Sequence, residues 1–367
     1  MPLLVAAGTL AACGPGHGNA VGTPQPTGRA AQSPSPSPTT PNLPLLAVLD
    51  HPFGAAPNTL RLLRADGGGE VAHIALDPDA EAVATSGVLV LVAGAGHIRA
   101  YGSDGGLVTT LTVPDGPNAL VRGLTGDDSS TRWFWATVTQ NGDSAVSRIY
   151  TAGPGIPPTM VMSSTAPGRA QQPLDWTPGG PVVSDEPLGI GGYVLFRRTF
   201  GSTGLLDMSS RTVHPLTDAS CAYSDMALDG SVACVLNGRE APNSGGPVTL
   251  RVTRTGAPPL EIPLGSSVQQ AGAALFSPDG KLLTLASSPA LGEGAEQITM
   301  ELVDPASGAR HAFGAAGLMP VDWLPDGRLV TVRLPGVEGG DAGTYVLDSS
   351  GTATLICTAS TVMGVLR

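Results

Sequence analysis

From Leu45 onward the chain is a succession of short apolar runs separated by turn signals. The runs are rich in Leu, Val, Thr and Ala, few exceed seven residues, and Gly, Pro, Asp and Ser punctuate them. This is the strand-and-turn pattern of an all-β protein. Strand-turn-strand units recur with turn centres near residues 67, 104, 154, 209, 255, 307 and 350, an average step of about 47 residues. Examples are Leu63-Arg64-Ala65-Asp66-Gly67, Tyr101-Gly102-Ser103-Asp104-Gly105 and Val346-Leu347-Asp348-Ser349-Ser350-Gly351.

A second repeat interleaves with the first. Pro320-Val321-Asp322-Trp323-Leu324-Pro325-Asp326-Gly327 matches Pro173-Leu174-Asp175-Trp176-Thr177-Pro178-Gly179-Gly180, and Phe276-Ser277-Pro278-Asp279-Gly280 matches both. Asp225-Met226-Ala227-Leu228-Asp229-Gly230 is a weaker copy, and two degenerate ones are expected near Asp128 and over Leu76–Ala80. The closing glycines, 180, 230, 280 and 327, are 50, 50 and 47 residues apart. Each period thus carries two hairpins, and four-stranded sheets repeated radially make a β-propeller. Seven turn centres over residues 45–367 predict seven blades of about 46 residues. Six or eight are the alternatives, because 181–200 has room for another hairpin. Leu45–Asp50 lacks an inner partner and Thr361–Leu366 is one strand too many. Pairing the two closes the ring and removes its exposed edges.

The motif Phe276-Ser277-Pro278-Asp279-Gly280-Lys281 resembles the WD-like repeat of bacterial TolB-type propellers, with Trp323-Leu324-Pro325-Asp326-Gly327 and Trp176-Thr177-Pro178-Gly179-Gly180 as variants. The resemblance covers residues 45–367, with its motifs concentrated between 173 and 333. Its chemistry is that of a turn: Pro fixes φ, Asp bonds nearby backbone and Gly takes positive φ. Asp229, Asp279 and Asp326 are therefore expected to be turn residues, and the preceding aromatic to pack between blades.

The N-terminal segment MPLLVAAGTLAAC carries ten residues without charge, Leu3 to Ala12, before Cys13. Residues 1–13 resemble a bacterial lipoprotein signal, which implies a lipid on the Cys13 thiol. One departure is that no Lys or Arg precedes the apolar run, and a plain apolar N-terminus is the alternative. The run is too short to span a bilayer. Residues 14–44 hold Gly, Pro, Ser, Thr and Gln with almost nothing to bury, the composition of a disordered tether. The expected address is the outer face of a bacterial cytoplasmic membrane or the envelope, with secretion as the alternative.

Composition narrows the partners. The net charge is −11, with Lys281 the single lysine, so nucleic acid is a poor ligand. A helical bundle is excluded by Gly 50 and Pro 34, while 41% hydrophobic residues are too many for a wholly disordered chain.

Signatures of catalysis are scarce: HExxH, CxxC, GxxxxGK[ST] and GxSxG do not occur. Trp133 and Trp135 alternate on one strand and read as core. Cys221 and Cys234 flank the Asp229-Gly230 turn on two neighbouring strands, and outside the cytoplasm they are expected to oxidise to a disulfide, two buried thiols being the alternative. Cys357 is left over and is expected to be buried in the last outer hairpin. Asp175, Asp225 and Asp322 each precede the blade-core position. They are candidate channel carboxylates for a cation such as Ca²⁺ or for a cationic ligand; the alternative is local acceptance of backbone N–H groups. No other cofactor is implied. The reading that follows is a monomeric, lipid-anchored, non-catalytic module binding an envelope protein or ligand. A metal-dependent propeller hydrolase of the lactonase kind and a sensory or structural ectodomain are its rivals.

Overall fold

The computed structural model describes residues 44–50, 59–177, 179–188, 196, 198–237, 247–290, 297–337, 339–358 and 360–367. Seven antiparallel sheets of four strands follow one another along the chain. Blade 1 holds β1 (Leu45–Asp50), β2 (Thr59–Arg64) and β3 (Glu70–Ala75). Blade 2 holds β4 (Ala80–Ser86), β5 (Leu89–Gly94), β6 (His97–Tyr101) and β7 (Leu107–Thr112), and blade 3 holds β8 (Leu120–Gly126), β9 (Trp133–Asn141), β10 (Ser144–Gly153) and β11 (Ile156–Pro167). Blade 4 holds β12 (Arg169–Thr177), β13 (Gly180–Pro187), β14 (Thr203–Asp207) and β15 (Thr212–Thr217), and blade 5 holds β16 (Cys221–Met226), β17 (Val232–Asn237), β18 (Val248–Thr253) and β19 (Leu260–Pro263). Blade 6 holds β20 (Gln270–Gly272), β21 (Leu283–Ser288), β22 (Thr299–Val303) and β23 (Arg310–Ala312), and blade 7 holds β24 (Met319–Trp323), β25 (Leu329–Arg333), β26 (Gly343–Leu347) and β27 (Ala353–Thr358). The last strand, β28 (Ser360–Leu366), returns to blade 1 and pairs antiparallel with β1, Leu45 facing Leu366 and Asp50 facing Ser360. The protein is a seven-bladed β-propeller closed by its C-terminal strand, and no described residue of 181–200 forms an extra hairpin.

The expected turns account for this regularity. Gly230, Gly280 and Gly327 have positive φ between the first and second strands of their blades, and Gly180 has it at the first residue of β13. Asp229 and Asp279 accept the N–H groups of Ser231 and Lys281 (2.8 and 3.2 Å), and Asp326 accepts that of Arg328 (3.1 Å). One expected copy is misplaced. Leu76–Ala80 joins β3 to β4, and the first turn of blade 2 is Gly87-Val88 instead. A Pro-Asp pair suits any tight connection, so it does not distinguish the link between blades from the turn within one.

The core lies between the blades. Trp133 and Trp135 are both fully buried against Leu89, Leu91 and Ile98 of blade 2. Phe134, pointing the other way, meets the Trp176 ring edge-on at 5.5 Å. Phe276 packs with Val235 and Leu250 of the preceding blade, and Trp323 with Met300 and Leu302. Trp323 also donates its indole N–H to Leu275 O at 3.1 Å. Each motif aromatic therefore fastens its blade to the one before it, through ring area and in one case a hydrogen bond.

Cys221 and Cys234 form a disulfide between β16 and β17, with Cα atoms 5.4 Å apart. Cys234 faces Tyr223 in the ladder, so the bond runs diagonally, beside a register shift between Tyr223 and Asp225. Closing a loop of this length contributes about 3 kcal/mol by chain entropy. Cys357 is buried on β27, where the Arg61 guanidinium donates to its sulfur.

Closure carries a direct test. Deleting residues 361–367 exposes the inner edge of β1 and should lower the melting temperature and speed proteolysis of the whole domain, whereas most terminal trims are silent. Unchanged melting and proteolysis would contradict closure.

Candidate functional site

Strand direction alternates within each blade. The start of every innermost strand therefore lies on one face of the ring, with the connections between second and third strands. The Pro-Asp-Gly turns lie on the other face. The connections between second and third strands are unequal in length: 51–58 in blade 1 and 188–202, 238–247, 289–298 and 334–342 in blades 4 to 7, but only 95–96 and 142–143 in blades 2 and 3.

Seven innermost strands converge on the axis, and most of them yield by bulging. Register shifts occur beside Glu81 in β4, Gly123 in β8, Leu174 in β12, Ser224 in β16, Val321 in β24 and Met363 in β28. A bulge bends the strand and re-aims its side chains. In three blades the residue after the bulge is the aspartate singled out from the sequence. Asp175, Asp225 and Asp322 each accept the N–H of the next residue, Trp176, Met226 and Trp323, at 2.9, 2.8 and 2.8 Å.

The second half of each carboxylate finds a different partner. Arg198 lies 3.1 Å from Asp175, donates to Leu174 O and Ser224 O (both 2.9 Å), and sits over the Tyr223 ring. Asp225 reaches the next blade and accepts the Phe276 N–H at 2.7 Å. Asp322 meets Arg367 at 2.9 Å, and Arg367 continues to Asp128 at 3.2 Å. Enclosure in the channel pushes the Asp225 carboxyl up to about 7, and the charge on Asp175 adds to this; Arg198 and the two N–H donors oppose it. Asp322 is pushed up to about 6, again chiefly by enclosure and against the pull of Arg367. Burial, then Asp175 and Asp225, hold the Tyr223 phenol well above its ordinary range.

The three expected carboxylates are thus brought into one field. Each takes its own blade's N–H, and two guanidinium groups stand among them. Among the described residues, no group of three or more His, Cys, Asp or Glu side chains is placed to hold a metal ion. Arg198 and Arg367 went unnoticed in the sequence. Arg198 lies within 181–200, the stretch that broke the repeat, and that irregularity was its only signal.

At the strand-start mouth two hollows of about 410 and 380 Å³ adjoin, and Arg122 and Gln172 line both. Glu81 and Leu120 complete the first; Val138, Ala170, Glu186, Leu188 and Arg198 belong to the second. Glu81 accepts the Val121 N–H across the blade boundary at 2.8 Å. Glu186 is 9% exposed and accepts the Phe200 N–H at 2.9 Å through Oε2, while its buried Oε1 has no hydrogen-bond partner among the described residues. Arg122 is exposed, and its guanidinium makes no hydrogen bond or ion pair among the described residues. None of these side chains belongs to the repeat motif, so the sequence offered no sign of them beyond the polar pair Gln171-Gln172 on an inner strand.

No protein-family model and no curated protein matches the sequence. Solved structures do resemble it. An acylaminoacyl peptidase from Pyrococcus horikoshii is 13% identical with a TM-score of 0.55, over 82% of this chain and 48% of that one. A structure from a study of two prolyl endopeptidases is 15% identical with a TM-score of 0.53, over 87% of this chain and 49% of that one. A putative TolB from Agrobacterium tumefaciens is 14% identical with a TM-score of 0.40, over 73% of this chain and 88% of that one. The chain spans about half the length of the two peptidase structures. At this identity the two peptidase likenesses bear on the fold alone.

The raised carboxyls set a pH dependence. Above about pH 4, where the unfolded chain releases these protons, the folded protein keeps one on Asp322 up to about pH 6 and one on Asp225 up to about pH 7. Their contribution is therefore complete below the unfolded value and is lost as pH rises through the folded values. The melting temperature should rise as pH falls from about 8 to about 5. Asp225→Asn should flatten the upper part of that slope. A slope of opposite sign, or one unchanged by the substitution, would contradict the assignment.

Proposed function

We propose that this chain is a lipid-anchored, extracytoplasmic propeller that binds a protein or small ligand of the bacterial cell envelope without transforming it. The observation that carries the binding half is the mouth of the channel. There a buried carboxylate and an exposed guanidinium, one oxygen of the first and the whole of the second without a partner among the described residues, line adjoining hollows of small-molecule size. Polar groups held this way on a rigid strand framework are the usual means of fixing a ligand's orientation. In blades 4 to 7 the second strand ends and the third begins on the same face, with long stretches of chain between them, and binding residues are commonly carried on such connections.

The address is supported by two independent features. Leu10-Ala11-Ala12-Cys13 with a Gly/Pro/Ser-rich stretch behind it fits an acylated cysteine and tether; both lie outside the described residues, apart from Pro44. The Cys221–Cys234 disulfide fits an oxidising compartment.

Cys13→Ala should move the protein from the membrane fraction to the soluble one; equal retention of variant and wild type would contradict the anchor. For the binding face, a photo-cross-linking residue should be placed at Leu120, 39% exposed at the mouth, or at Leu228, 74% exposed in a turn on the opposite face. In intact cells, adducts are expected from position 120 and not from 228. Adducts from 228 alone, or none from 120, would contradict the reading.

A further inference from the structure

Resting on the proposal that the strand-start mouth is the binding face, the charge pattern there narrows the ligand. Arg122 lines both hollows, Glu81 lines one and Glu186 the other. A simple anion attracted by Arg122 would lie beside two carboxylates, in a protein of net charge −11. A simple cation drawn to Glu186 would lie beside Arg122 and Arg198. A neutral ligand would leave Arg122 and the free oxygen of Glu186 without a charged partner, and a buried polar group left unmet is costly. A ligand carrying both signs meets both groups.

Arg198 is already engaged by Asp175 and two carbonyls, and Glu81, on the first hollow, is exposed and accepts the Val121 N–H through Oε2, whereas the Oε1 of Glu186 is enclosed. Gln172, common to both hollows, can donate and accept and so suits an amide. Val138, Ala170 and Leu188 give the second hollow an apolar wall. Hollows of about 410 and 380 Å³ fall at the lower end of small-molecule sites.

We propose that the mouth binds a zwitterion with an apolar body, an amino acid or short peptide with free ends, its carboxylate on Arg122 and its ammonium at Glu186. Binding is reversible and no bond is made or broken.

The test is calorimetric titration of the full chain with L-leucyl-L-leucine. Two blocked forms of the same body serve as comparison, one N-acetylated and one with a C-terminal amide. Free dipeptide should bind at millimolar concentration or better, and each blocked form should lose roughly tenfold or more, the worth of one charged hydrogen bond. Arg122→Gln, on an exposed side chain, should erase the preference for carboxylate over amide and leave melting unchanged. Glu186→Gln keeps an oxygen for the Phe200 N–H and should erase the preference for the free amine. Should that variant melt early, Arg122→Gln alone decides. Equal binding of free and blocked forms, no binding of any of them, or preferences that survive Arg122→Gln would each overturn the proposal. Cross-linking from position 120 alongside no dipeptide binding would leave the binding face standing and remove the zwitterion.

Discussion

Every blade of this protein rests on its two neighbours, and so its stability depends on the ring being closed. A four-stranded sheet cannot cover both of its faces alone. Here each face is covered by aromatic and aliphatic side chains of the adjoining blade, as Trp133 and Trp135 are by blade 2 and Trp323 by blade 6. Without the β28–β1 pairing, the first and last blades would each keep an uncovered face, and β1 an unpaired edge. Seven segments along one chain become one cooperative body through that pairing.

Closure also determines the chemistry at the axis. Innermost strands forced around a narrow channel bulge, and the bulges turn Asp175, Asp225, Asp322 and Glu81 away from the ordinary strand pattern. Those carboxylates then hold backbone N–H groups, two of them across a blade boundary, Asp225 to Phe276 and Glu81 to Val121. The channel aspartates are stitches of the ring, with Arg198 and Arg367 balancing part of their charge. The mouth is different, because among the described residues Arg122 and one oxygen of Glu186 have no partner.

The fold was legible because turn chemistry is local. Gly230, Gly280 and Gly327 announce hairpins within six residues, and their spacing reports the blade count even where the motif decays. The pairing of Leu45–Asp50 with the C-terminal strand followed from counting leftover strands. The site was not legible in the same way. Arg122, Glu186 and Arg198 come from three separate strands or connections, and nothing local ties an arginine on β8 to a glutamate on β13. Asp175, Asp225 and Asp322 were found because they ride on the repeat, and for that reason they proved to be partnered within it. Arg122 and Glu186, which keep polar atoms without a partner among the described residues, depart from the repeat.

Native-state hydrogen exchange across the propeller tests the central claim most directly. If closure makes the ring one unit, the paired amides of Leu45–Asp50 and Ser360–Leu366 will exchange only through the same global opening as those of β9, β17 and β25. Early exchange confined to the first and last strands, with blades 3 to 7 still protected, would show that the ring is held elsewhere and would contradict the account.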